Sequence, residues 1–211
     1  MSGLAPAAAE AMAPPAAPLP RVVAIGASAG GVTTLPLVLA ALPRALRAAV
    51  LIVVHLDPDA RSYLAPLLAR SSRLPVREAC EGDGIEPGVV YVASPGAHLA
   101  LLDGRLALRD TPRVHFSRPS VDVLFQSVAA ACGARAVGVI LTGAGVDGAE
   151  GLRAIKAAGG YTIVQDPAGA DHRGMPAAAI ATGCADVILP VTLIADAVAA
   201  VVDGSPEAPV G

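Results

Sequence analysis

Short apolar runs rich in β-branched residues recur along the chain, separated by Ala- and Leu-rich stretches. The runs RVVAIG (21–26), AVLIVVH (49–55), LPVREA (74–79), AVGVILT (136–142), YTIVQD (161–166) and ADVIL (185–189) predict strands. The stretches 32–42, 60–71, 120–132, 148–158, 175–182 and 191–202 predict helices between or after them. Most of these strand runs are apolar at consecutive positions, the pattern of strands buried on both faces of a parallel sheet. The predicted fold is therefore α/β, a single doubly wound, mostly parallel sheet with helices on both faces. Within 88–109, GVVYVASP, HLALLDG and RLALRD are strand-like runs joined by Gly and Pro turns, which predicts a small antiparallel hairpin around 88–109. No internal repeat and no second domain is visible.

Composition fits this picture. A chain of 211 residues, 54% hydrophobic and 16% charged, can bury the core of one domain. The pattern divides it into a disordered tail over 1–20, a folded domain over 21–202 and a frayed C-terminal tail over 203–211. The first tail, MSGLAPAAAEAMAPPAAPLP, is Pro-broken and has no Lys or Arg, so a signal peptide is not expected. Other apolar windows contain Pro36, Pro43 and Arg44, or Pro190 and Asp196, which argues against membrane insertion and for a soluble, cytoplasmic protein. A net charge of −3 without a basic run argues against nucleic acid as a partner. Cys80, Cys132 and Cys184 form no C-x-x-C pattern, so reduced thiols and no structural metal site are expected.

In an open α/β sheet, ligands meet the chain beyond the carboxyl ends of the strands. The residues there include Ser28, His55, Asp147 and Asp166. Gly26-Ala27-Ser28-Ala29-Gly30 fits G-x-S-x-G, a tight strand-to-helix turn that exposes a serine hydroxyl. Such a hydroxyl needs a base, which His55 can supply, and Asp147 can orient the imidazole and stabilise its charged form. Each residue also has a plain structural explanation. Ser28 suits a glycine turn and His55 a strand end, while Asp147-Gly148-Ala149-Glu150 has the spacing of a capping box before a helix. His98, His115 and His172 fall in loops or the hairpin.

A dinucleotide fingerprint competes in the same region. Gly143-Ala144-Gly145-Val146-Asp147-Gly148 is a G-x-G-x-x-G after a predicted strand, and Asp166 ends the next strand, where a ribose-binding acid would stand. It comes late in the chain, however, and Asp147 would set a carboxylate where a pyrophosphate must approach. A dinucleotide-binding oxidoreductase is therefore the alternative.

Six segments, IGASAGG, VVHLDP, EGDGIEPGVVYVASPGAHLAL, SRPSVDVLFQSVA, AVGVILTGAGVDGAEGL and RGMPAAAIATG, resemble in order and spacing the catalytic domain of chemotaxis protein-glutamate methylesterases, the CheB family. The resemblance covers about residues 21–200, and makes 21–202 a methylesterase catalytic domain. It implies a serine esterase that hydrolyses γ-glutamyl methyl esters on chemoreceptors or related signalling proteins, with glutamine deamidation as a related activity and no cofactor. The family's serine, histidine and aspartate fall on Ser28, His55 and Asp147. Backbone N–H groups of Ala29 and Ala144 are the oxyanion-hole candidates.

The chemotaxis branch commonly carries threonine at the position of Ala29 and methionine at that of Ala144. HLDPDARSYLAPLLARSS is more similar to the branch fused to a methyltransferase. The tail 1–20 has no receiver pattern, so control by phosphorylation of this chain is not expected, and any control would come from expression or from a separate regulatory protein. A non-catalytic signalling module of the same fold is the remaining alternative.

Overall fold

Nine strands and six α-helices form within residues 19–55 and 63–204, the part of the chain that the computed structural model describes. In chain order they are β1 (Arg21–Ala27), α1 (Gly31–Ala41), β2 (Ala48–Val54), α2 (Leu64–Ala69), β3 (Val76–Glu78), β4 (Val90–Val92), β5 (His98–Leu102), β6 (Arg105–Arg109), α3 (Val121–Cys132), β7 (Ala136–Ile140), α4 (Ala149–Ala157), β8 (Tyr161–Gln165), α5 (Gly174–Ala181), β9 (Val187–Leu189) and α6 (Val191–Val202). Seven strands make one sheet in the order β3-β4-β2-β1-β7-β8-β9, and every pairing in it is parallel. β5 and β6 form a separate antiparallel pair.

The consecutive apolar positions have the expected cause. Val23, Ile25, Val50 and Ile52 pack into one core with Leu35, Leu68 and Val198 of α1, α2 and α6. Val22, Ala24, Leu51 and Val53 pack into a second core with Phe125, Leu152 and Met175 of α3, α4 and α5 and with Leu99 and Leu106 of the hairpin. Each fully buried Val, Leu or Ile contributes about 1.5–3 kcal/mol relative to exposure, so the two faces together drive formation of the sheet.

The winding direction reverses at β1, which lies between β2 and β7. Such a reversal opens a crevice beyond the strand ends. At that end of β1 the chain turns through Gly30, which has φ of 80° and caps α1. Gly26 lets α3 approach, because a Cβ there would lie 2.3 Å from Val121 Cγ1. The N-terminus of α3 is thereby brought to the carboxyl edge of the sheet.

The structure narrows one sequence expectation. Only 98–109 forms the antiparallel hairpin, whereas Val90–Val92 joins the main sheet, pairing in parallel with β2 and β3. Its three residues are all buried, and a strand buried on both faces belongs inside the sheet. The predicted helix over 60–71 is seen from Leu64 onward, and 60–62 lie outside the described residues. Of the tails expected over 1–20 and 203–211, residues 1–18 and 205–211 also lie outside them. Among the described residues no helix is long and apolar enough to cross a membrane.

Candidate active site

Strand register sets the first two residues side by side. Ala27 of β1 is paired with Val54 of β2, so Ser28 and His55 are the next residues on two neighbouring parallel strands. His55 N donates to Ala27 O at 3.2 Å, holding the two chain ends together. On the other side of β1, Ser28 N donates to Thr142 O at 3.0 Å, which ties the serine turn to the segment after β7. Gly143 follows Thr142 and leaves room for the serine, since a Cβ there would lie 2.9 Å from Ser28 Cβ and 2.2 Å from Met175 Sδ.

The segment after β7 then brings Asp147 to the histidine. His55 Nε2 donates to Asp147 Oδ2 at 2.7 Å, with the histidine side chain 16% and the carboxylate 3% exposed. That bond places the ring proton on Nε2 and leaves Nδ1 with a free lone pair. The remaining lone pairs of Asp147 face the N-terminus of α3. Val121 N donates to Oδ2 at 2.7 Å, and Asp122 N and the Ser120 hydroxyl donate to Oδ1 at 3.0 and 2.8 Å.

Burial by itself pushes the Asp147 carboxyl up. The bonds from His55, from the Asp122 and Val121 N–H groups and from the Ser120 hydroxyl outweigh it and hold the carboxyl below the ordinary carboxylate value. Asp147 is thus a fixed anion against the imidazole.

The capping-box explanation of Asp147 does not hold. Gly148 is the N-cap of α4 and receives no side-chain cap from its own segment, while Asp147 is engaged by a different helix. The dinucleotide turn is likewise filled by a buried carboxylate bonded to His55. Asp166 accepts from Ala168 N at 2.8 Å and caps its own short 3-10 turn.

Ser28, the third member of the expected constellation, is half-buried, and among the described residues its hydroxyl has no hydrogen-bond partner. The structure therefore joins His55 to Asp147 directly and brings Ser28 beside His55 through strand register. The N–H groups of Ala29 and Ala144 find no acceptor among the described residues and remain open donors in the two turns that flank Ser28. Thr142 Oγ1 stitches these turns, lying 3.1 Å from Ala29 O and accepting from His172 N at 2.9 Å. Among the described residues no cluster of His, Cys, Asp and Glu is arranged to hold a metal ion.

The sequence profile of CheB methylesterases matches residues 23–198. The chain belongs to the CheB methylesterase family. It is 48% identical over 179 residues to a protein-glutamate methylesterase/protein-glutamine glutaminase of Anaeromyxobacter dehalogenans, covering 85% of this chain and 52% of that protein. A relative with the same description from Symbiobacterium thermophilum is 44% identical, covering 84% of this chain and 49% of its own length. The chain thus spans about half the length of the curated relatives it matches. The solved catalytic domain of the Thermotoga maritima CheB methylesterase superposes with a TM-score of 0.82 at 33% identity, over 86% of this chain and 98% of that one.

Three further residues shape the site of this CheB-family chain, and no site motif in the sequence singled them out. Ser120 caps α3 and bonds Asp147, as described. His98, assigned from sequence only to a loop or the hairpin, is fully buried, accepts from Ser120 N at Nδ1 (3.1 Å) and donates from Nε2 to Pro112 O (3.1 Å). Asp122 bonds the start of α4. Ser120 and Asp122 flank Val121 at the start of α3, and a serine N-cap was the only signal available for them.

Proposed function

We propose that the chain is a serine esterase that hydrolyses γ-glutamyl methyl esters on methylated helices of chemoreceptors or a related signalling protein, and deamidates glutamine at the same centre. Residues 21–202 form the catalytic unit. The observation that carries this is the 2.7 Å bond between His55 Nε2 and the buried Asp147 carboxylate, made where Ser28 follows β1 in register with His55.

Ser28 Oγ attacks the ester carbonyl carbon as His55 Nδ1 takes its proton. Asp147 holds the ring and stabilises the imidazolium. The tetrahedral oxyanion accepts from the N–H groups of Ala29 and Ala144, and one such donor contributes about 2.7–4 kcal/mol of transition-state stabilisation. The carbon–oxygen bond to methoxide breaks, and His55 returns the proton so that methanol leaves. Water then attacks the acyl-enzyme with His55 again as base, Ser28 regains its proton, and a glutamate carboxylate remains. With a glutamine side chain, ammonia is the leaving group.

Backbone donors suit alanine at both oxyanion positions, since the side chain is not what donates. Methanol release from methylated receptor helices tests the proposal. The parent protein should release it and Ser28→Ala should not. A parent without activity on such helices, and without reactivity at Ser28, would favour a non-catalytic module.

A further inference from the structure

Two buried carboxylates exchange helix caps behind the histidine. Asp147 lies just before α4, yet it takes the N–H groups of Val121 and Asp122 at the start of α3. Asp122 lies in the first turn of α3, yet its Oδ1 takes Gly148 N at 2.9 Å and Gly151 N at 2.6 Å at the start of α4. Both are 3% exposed. Helix N-termini favour anions, and each helix here receives its anion from the other.

We propose that Asp122 is a positioning residue for this centre. Its carboxylate fixes the segment 144–148 that carries Asp147 and the Ala144 N–H, and through Asp147 it sets the orientation of His55. The proposal rests on the esterase assignment for its consequence in catalysis.

Two acids placed this close repel, and a structure in need of caps alone could use serine or asparagine at either position. Burial, together with the Asp147 charge and against the bond from Gly151 N–H and the charge of His115, raises the Asp122 carboxyl above the ordinary value. The titratable groups that face it are Asp147 before α4 and His115 in the preceding loop, whose Nε2 lies 3.2 Å from Asp122 Oδ2. On α4, Glu150 is turned to Arg153 at 3.4 Å. An ionised Asp122 adds negative potential behind the Asp147–His55 pair, so it acts on the histidine by charge as well as by placement.

Asp122→Ala and Asp122→Asn separate these contributions. The asparagine carbonyl keeps an acceptor for both N–H groups and removes the charge, while alanine removes both. Full-length variants of confirmed thermal stability would be compared with the parent in steady-state methanol release and by the NMR titration of the His55 ring nitrogens. Asp122→Ala should lower kcat by up to about a hundredfold, the scale of an ångström misplacement, with KM within about twofold, and should weaken or abolish the signature of the Nε2 bond. Asp122→Asn should keep most of kcat and move the acidic limb of kcat/KM to lower pH, because losing negative charge disfavours the imidazolium.

A folded Asp122→Ala with parental kcat and unchanged His55 signals would overturn the proposal. So would equal losses in both variants that follow stability alone, with no movement of the pH profile. The NMR arm decides the positioning role even if the parent shows no ester hydrolysis, a result that would instead remove the esterase assignment.

Discussion

The Ser120 hydroxyl donates to Asp147 Oδ1 at 2.8 Å and accepts from Val123 N at 3.4 Å. One side chain therefore caps α3 and anchors the carboxylate that holds His55. Behind it, the Ser120 N–H donates to Nδ1 of the fully buried His98. Ser120→Ala removes a helix cap and a bond to an anion together. It should destabilise the fold by about 1–2 kcal/mol and lower kcat more than it changes KM. Urea denaturation beside steady-state kinetics checks both, and unchanged stability would mean that the hydroxyl does neither task.

Asp147 ties the same site to acid stability. Its carboxyl is held below the ordinary value, so its stabilising contribution is fully present above that value and is lost as pH falls through the lowered one. Asp147→Asn should be less stable than the parent at neutral pH by about 2–3 kcal/mol. The gap should narrow below about pH 4, where the unfolded carboxyl becomes protonated. Denaturation midpoints of both proteins at neutral and acid pH test this, and a gap independent of pH would contradict it.

The rate should follow a different group. Asp147 stays ionised throughout the range in which histidine side chains titrate, so the proposed mechanism, with His55 as base, predicts an acidic limb in kcat/KM. Activity should rise with pH across that limb and then level. A profile without an acidic limb would exclude a neutral imidazole as the base.

Much of this site was legible in the chain because sheet topology assigns chemistry to strand ends. Ser28, His55 and Asp147 each follow an apolar run, and a parallel sheet delivers such positions to one edge. What lay hidden depends on contacts between elements distant in sequence. Asp147 has the local spacing of a cap for its own helix, and only the packing of α3 against β1 over Gly26 turns it toward a different one. His98 opens a hairpin strand, where a polar side chain suits the strand end, yet its ring is enclosed between Pro112 and Ser120. Val90–Val92 reads as one more strand-like run of the hairpin, and its place between β2 and β3 follows from a crossover that periodicity does not encode.

The central claim is that Ser28 is a nucleophile activated by His55 and Asp147, and a fluorophosphonate tests it without knowledge of the substrate. Labelling followed by peptide mapping should place a single adduct on Ser28. His55→Ala and Asp147→Asn, each verified as folded, should slow the labelling by orders of magnitude, because the hydroxyl is a weak nucleophile without its base and the base depends on its carboxylate. An adduct on another serine, or labelling of Ser28 at the parental rate in the folded His55→Ala protein, would contradict the account.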